Sequence, residues 1–128
     1  MIALLDTHTL LWWLCDPDKL GKQARATIED AANEILVSAA SAMEITTKYR
    51  IGKLPEAERL ATRFSVEIAF EQFIELSITV AHAELAGQLP FDHKDPFDRL
   101  LVAQARIADI PLLSNEKLFD GFGVQRIW

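Results

Sequence analysis

Four carboxylates stand where the chain changes character, and together they have the makings of a metal centre. Asp6 closes the short apolar run Met1-Ile2-Ala3-Leu4-Leu5, and Glu44 lies in a helical pattern that follows Ile35-Leu36-Val37-Ser38. Asp98 falls in the first turn of a pattern opened by Asp95-Pro96, and Glu116 follows Leu112-Leu113-Ser114-Asn115. An apolar run ending in an acid reads as a buried strand that delivers a carboxylate to its C-terminal tip. In open α/β sheets, ligands bind beyond those tips. Carboxylates gathered at one crevice repel each other unless a cation compensates. Hard oxygen donors suit Mg²⁺ or Mn²⁺, and the chain has no Cys/His spacing of the zinc kind. An ion held by two to four acids keeps positions open for a water and a phosphate oxygen, which is what phosphodiester hydrolysis requires.

Each acid also has an ordinary explanation. Acids are favoured at helix N-termini, so Asp6 is a candidate cap for the first helix, and Asp95-Pro96-Phe97-Asp98 fits an N-cap, a proline at the first helical position and an acid two residues on. Glu44 and Lys48 have the i,i+4 order that stabilises a helix surface. What favours a shared site is the joint pattern. Ser41, one turn before Glu44, and Ser114, two residues before Glu116, are candidate supports for ligating carboxylates, as is Asp95 beside Asp98; helix capping is the competing account. His8, His82 and His93 are scattered, and His93 reads as a loop hydrogen-bonding residue. Arg99, next to Asp98, is a candidate phosphate contact or simply a helix-surface arginine.

The elements that must position these residues follow from hydrophobic periodicity. Apolar runs at 1–5, 35–38 and 111–114 read as strands, 74–78 as a strand or strand edge, and 123–127 as a closing edge strand. Helical patterns cover 9–14, 20–32, 41–49 with Gly52 as C-cap, 58–73, 79–86 stopped by Gly87, and 97–108. Residues 89–95 are the one substantial loop. Strands alternating with helices imply βα units, hence an α/β fold with a mostly parallel sheet of four to five strands covered on both faces.

Bulk properties narrow the function classes. With 128 residues, half of them hydrophobic, the chain reads as a single domain over 1–128. One cysteine, Cys15, cannot form an internal disulfide, and the apolar N-terminus is broken at once by Asp6 and His8, so neither export nor a membrane span is indicated. A cytoplasmic location is the expectation. A net charge of −6 argues against a generally basic nucleic-acid surface. The basic groups are uneven, however: Lys48, Arg50, Lys53, Arg59 and Arg63 fall within sixteen residues, a strip that suits a phosphodiester beside an acidic centre.

Four segments carry a resemblance. Leu4-Leu5-Asp6-Thr7-His8, Ser38-Ala39-Ala40-Ser41-Ala42-Met43-Glu44-Ile45, the run Asp95 to Ala105, and Leu113-Ser114-Asn115-Glu116-Lys117-Leu118-Phe119 occur in the order seen in PIN-domain ribonucleases of the VapC toxin type. The similarity spans nearly the whole chain, which resembles one bacterial subgroup in its Asp95-Pro96-Phe97-Asp98 and Leu10-Leu11-Trp12-Trp13 stretches. The resemblance implies a Rossmann-like α/β/α fold and a Mg²⁺- or Mn²⁺-dependent endoribonuclease. The acids matching Asp6, Glu44, Asp98 and Glu116 would be the metal-binding and catalytic set. It further implies an RNA substrate (tRNA or another structured RNA), a homodimer, and a small cognate antitoxin whose tail covers the active site. The chain departs from the family pattern with Ser114 for a frequent Thr, Glu116 for Asp and Met43 for Trp. With these departures the longer Glu116 could still reach the metal, directly or through water, with Asp95 as its substitute or as support for Asp98.

Two other readings of the residues remain open at this stage. Asp6 could serve as the nucleophile of a phosphatase, although such enzymes want a second Asp where this chain has His8. Alternatively, the same crevice could bind metal, RNA or a partner's basic tail without cutting anything.

Overall fold

The computed structural model describes all 128 residues. Five strands, β1 (Ile2–Leu5), β2 (Glu34–Ser38), β3 (Ile74–Leu76), β4 (Leu112–Leu113) and β5 (Arg126–Ile127), form one sheet in the order β3-β2-β1-β4-β5. Every neighbouring pair is parallel, with Leu4 in register with both Leu36 and Leu112. Helices α1 (Thr7–Cys15) and α2 (Lys22–Glu29) cross from β1 to β2. Helices α3 (Ala39–Arg50), α4 (Glu58–Thr62) and α5 (Phe64–Phe70) cross from β2 to β3, and α6 (Val80–Gln88) and α7 (Pro96–Ala108) from β3 to β4. The sheet grows outward from β1 through β2 and β3, then restarts on the other side of β1 with β4. That reversal, between β1 and β4, is where an α/β sheet opens a crevice at the strand C-termini.

Strand periodicity of two divides the core cleanly. Ala3, Leu5, Ile35, Val37 and Leu113 face one side and pack with Leu10, Leu11, Ala24, Ile28, Ile45, Leu60 and Ile68 from helices α1 to α5. Leu4, Leu36, Leu76 and Leu112 face the other and pack with Leu85, Leu101, Val102, Ala105 and Phe119. Both sheet faces are therefore covered, as near-continuous apolar strands require. No helix is long and apolar enough to cross a membrane.

The structure moves several element boundaries: α1 starts at Thr7, α2 covers only Lys22–Glu29 and β5 only Arg126–Ile127, and three further shifts have a local cause. Residues 58–73 form two short helices rather than one, with a break at Arg63 (φ −141°, ψ 38°). There the Thr62 hydroxyl back-bonds to the Glu58 carbonyl (2.8 Å), a contact that bends helices. Helix α6 runs through Gly87 to Gln88 instead of stopping at it, because Pro90 is what forces Leu89 into extended backbone (φ −53°, ψ 127°). Helix α3 begins at Ala39, directly after β2, with the Ser38 hydroxyl accepting the Ala40 amide (3.0 Å). It ends as expected: Gly52 adopts φ +79°, Gly52 N–H donates to Tyr49 (3.0 Å) and Lys53 N–H to Lys48 (2.8 Å), a Schellman closure that needs a left-handed residue.

Candidate metal centre

Asp6 is the first residue beyond β1 and occupies the N-cap position of α1, yet its carboxylate makes no capping hydrogen bond. Instead the Ser114 hydroxyl, just past β4, donates to Asp6 Oδ2 at 2.5 Å, while Asp6 N–H donates to the Leu113 carbonyl (3.0 Å). The acid is thus fixed across the β1–β4 seam and is only 3% exposed. Ser114 Oγ also accepts the Glu116 amide (3.0 Å), so one hydroxyl joins Asp6 to the turn that carries Glu116. The same seam is braced by the Thr9 hydroxyl, which donates to the Leu113 carbonyl at 2.7 Å.

Glu44, in the second turn of α3, is also buried at 3% exposure. Lys48 Nζ sits 2.5 Å from Glu44 Oε2, so the expected i,i+4 pair exists, but its acid lies inside the protein rather than on a solvated face. Glu44 Oε1 is buried and has no hydrogen-bond partner. A buried carboxylate oxygen left unpaired is costly, and a cation entering the cleft is one partner that would remove the cost.

Asp98 is held at the start of α7. Asp95 is the N-cap, its Oδ1 accepting the amides of Phe97 (2.9 Å) and Asp98 (3.3 Å), and His93 Nε2 lies 2.8 Å from Asp98 Oδ2. The loop that presents His93 is tied down by Arg99. Its guanidinium donates to the carbonyls of Ala86 (2.9 Å), Gly87 (3.4 Å), Leu89 (2.6 Å), Phe91 (2.9 Å) and His93 (3.0 Å). All of its donating nitrogens are engaged, so Arg99 is a structural clamp rather than a phosphate contact. Glu116 is exposed and precedes a 3₁₀ turn over Lys117–Gly121 without capping it through its side chain.

Asp6, Glu44, Asp98 and Glu116 line a single cleft of about 270 Å³, together with Asp95, His8, Lys48 and His93. The convergence expected of the four acids is present. No three of them stand close enough together to form a ready-made cage. Ser41 lies behind the cleft: it is fully buried, and its hydroxyl pairs with that of Thr7 (2.9 Å), tying α1 to α3 rather than touching a carboxylate. Sequence reasoning overlooked His8, which lines the cleft from the first turn of α1, two residues after Asp6. It also missed Gln104, completely buried in α7, which pairs with the Ser38 hydroxyl (2.5 Å) and donates to the Ser77 carbonyl (3.3 Å). A lone amide on an otherwise apolar helix face was its only signal.

Burial pushes Asp6 above the usual carboxylate range, against the Ser114 hydrogen bond and the His8 charge, and the Glu44 charge adds to the push. Asp98 is pushed up to about 6, mainly by burial and against the His93 hydrogen bond, with further help from Asp95, Asp6 and Glu44. Acids from three separate elements therefore feel each other's charge. A raised carboxyl binds its proton more tightly folded than unfolded. This contribution to stability is accordingly present at low pH and lost as pH rises from about 4 through 6. For Asp98 the loss is up to about 3 kcal/mol. In chelator, urea midpoints are expected to be lower at pH 7.5 than at pH 5, and added Mn²⁺ should restore the pH 7.5 value. Midpoints that stay flat across this range would mean that the acids are ordinary solvated carboxylates.

Comparison with known proteins agrees with this fold. Residues 3–124 match the PIN domain family. Ribonuclease VapC22 of Mycobacterium tuberculosis is 35% identical over 108 residues, spanning 80% of this chain and 78% of that protein. Ribonuclease VapC16 of the same organism is 52% identical over a shorter stretch of 40 residues, 31% of this chain and 28% of that one. Among solved structures, VapBC2 from Rickettsia felis bound to a promoter DNA fragment superposes with a TM-score of 0.70 at 14% identity, each chain fully covered. A toxin–antitoxin complex from Klebsiella pneumoniae superposes at 0.66 with 21% identity, covering 94% of this chain and 92% of that one. These structural likenesses speak to the fold, and the sequence match carries the family. With its acids at the β1–β4 switch point, the chain belongs to the PIN domain family, among the VapC-type proteins.

Proposed function

We propose that this protein is a divalent-metal-dependent endoribonuclease that hydrolyses RNA phosphodiester bonds in the cytoplasm, as the toxin of a toxin–antitoxin pair. The observation that carries the metal reading is Glu44 Oε1, a buried carboxylate oxygen without a donor, in a cleft shared by four other acids. The name of the VapC22 relative supports ribonuclease activity, and the toxin–antitoxin complexes among the structural neighbours support an antitoxin as the inhibiting partner. The exposed apolar side chains Val66 and Phe70, one turn apart on α5, are of the kind a homodimer contact would cover.

In this reading Asp6, Glu44 and Asp98 hold a Mg²⁺ or Mn²⁺ ion, with Glu116 at the cleft edge as a direct or water-bridged ligand. Such an ion supplies Lewis acidity, lowering the pKa of a water and offsetting charge on the phosphoryl oxygens. The chain's own work is placement. Ser114 fixes Asp6, Lys48 fixes one oxygen of Glu44 and leaves the other free, and His93 fixes Asp98. Three acids from three elements are thereby oriented before substrate arrives, which lowers the reorganisation needed at reaction. The test is incubation of the pure protein with RNA and Mn²⁺, with and without chelator. Cleavage that requires Mn²⁺ is expected. RNA binding without cleavage would leave only a binding module, and accumulation of an acid-labile aspartyl phosphate would point to Asp6 as a nucleophile.

A further inference from the structure

Lys48 is the sole lysine or arginine lining the acidic cleft. Its Nζ is seated on Glu44 Oε2 at 2.5 Å, and its side chain is 32% exposed against 4% for that of Glu44. Asp95 and Asp98, on a different element, also act on its charge. An ordinary i,i+4 pair on a solvated helix face contributes a few tenths of a kcal/mol and answers to nothing else. This pair differs in two respects. Its acid is buried, and four further carboxylates share the space its cation occupies.

We propose that Lys48 is a tethered counter-cation of the cleft, which competes with the divalent ion for the same carboxylates and so sets how tightly that ion is held. The inference rests on the metal reading above. Fixed acids with no positive charge among them would repel one another, and Lys48 relieves that repulsion from within the chain. A divalent ion drawn to Glu44 meets a like charge already seated there. At water-like screening, a unit charge a few ångströms from a divalent ion changes affinity on the order of tenfold. Lys48 therefore makes the metal site weaker, and so responsive to ion concentration, while keeping the acids in place.

The experiment is calorimetric titration of Mn²⁺ into the wild-type protein and into the Lys48→Met, Lys48→Gln and Lys48→Arg variants, with urea unfolding of each in chelator. Lys48→Met and Lys48→Gln are expected to bind Mn²⁺ on the order of tenfold more tightly and to unfold at lower urea in chelator. Lys48→Arg should stay near wild type in both. Gln retains a helix-compatible polar chain, so the question survives if the Met variant does not fold. Unchanged or weaker Mn²⁺ binding by the uncharged variants, with saturable binding by wild type, would overturn the counter-cation role and leave the metal reading standing. Absence of saturable binding by wild type and variants alike would overturn both.

Discussion

Asp6→Asn is expected to abolish Mn²⁺-dependent RNA cleavage, by roughly 10³-fold or more if the acid holds the ion that stabilises transition-state charge. The same change should leave the protein folded and at least as stable in chelator. Asn has the shape of Asp and keeps an acceptor for the Ser114 hydroxyl, which now donates at 2.5 Å. It also removes a charge that burial disfavours, the reason the Asp6 carboxyl is held above its ordinary range. Activity and stability should therefore move in opposite directions, as expected for a residue whose charge serves a ligand rather than the fold. Asp6→Ala should lose activity equally, but at a stability cost of about 1–3 kcal/mol, because it leaves the Ser114 hydroxyl buried without its partner. Gel-resolved cleavage and urea unfolding of the two variants check both halves. Metal-dependent cleavage retained by pure Asp6→Asn protein would remove Asp6 from the ligand set. A fall in the stability of Asp6→Asn in chelator would assign the carboxylate to the fold instead.

How much of this was legible beforehand depended on whether a residue's partner is local. The apolar runs at 1–5, 35–38 and 111–114 read correctly as strands because a strand buried on both faces leaves little room for polar residues. The Asp95 cap, the Pro96 start and the left-handed Gly52 were legible because caps act within four residues. Convergence of Asp6, Glu44 and Glu116 could be inferred from topology, since each comes soon after a strand whose C-terminal end faces the same edge of the sheet; Asp98 comes to that edge only after α6 and the 89–95 loop. The long-range partners could not. Ser41 stood one turn from Glu44 on the same helix face, which suggested a carboxylate partner. The structure gives it Thr7, thirty-four positions away, because α1 packs there. His93 looked like a loop residue and is one, but nothing local announces that its ring turns back to Asp98. The Arg63 break was equally silent, since Leu60, Phe64 and Ile68 keep helical spacing across it.

Arg99 shows the same limit most clearly. Its place beside Asp98 invited a phosphate-binding role, whereas five carbonyls of residues 86–93 consume its guanidinium. Three of those carbonyls, from Ala86, Gly87 and Leu89, belong to the C-terminal end of α6, where helix carbonyls lack intrahelical partners. The other two, from Phe91 and His93, hold the loop that brings the His93 ring to Asp98. Hydrogen bonds to a charged donor contribute about 1.5–3 kcal/mol each when isolated, and those sharing one side chain are not additive. Arg99→Ala is accordingly expected to cost about 3 kcal/mol or more of stability, with faster amide exchange across residues 86–95 and weaker Mn²⁺ binding through a loosened Asp98. Arg99→Lys keeps the charge but offers a compact ammonium in place of a planar fork, so it should recover less than half of the loss. A phosphate-binding arginine would behave differently: its removal would weaken RNA binding, reduce the salt dependence by about one counterion and leave unfolding unchanged. Urea unfolding and amide exchange of Arg99→Ala, set beside RNA binding at two salt concentrations, separate the two. A stability within about 0.5 kcal/mol of wild type, the range of ordinary surface substitutions, would rule out the clamp.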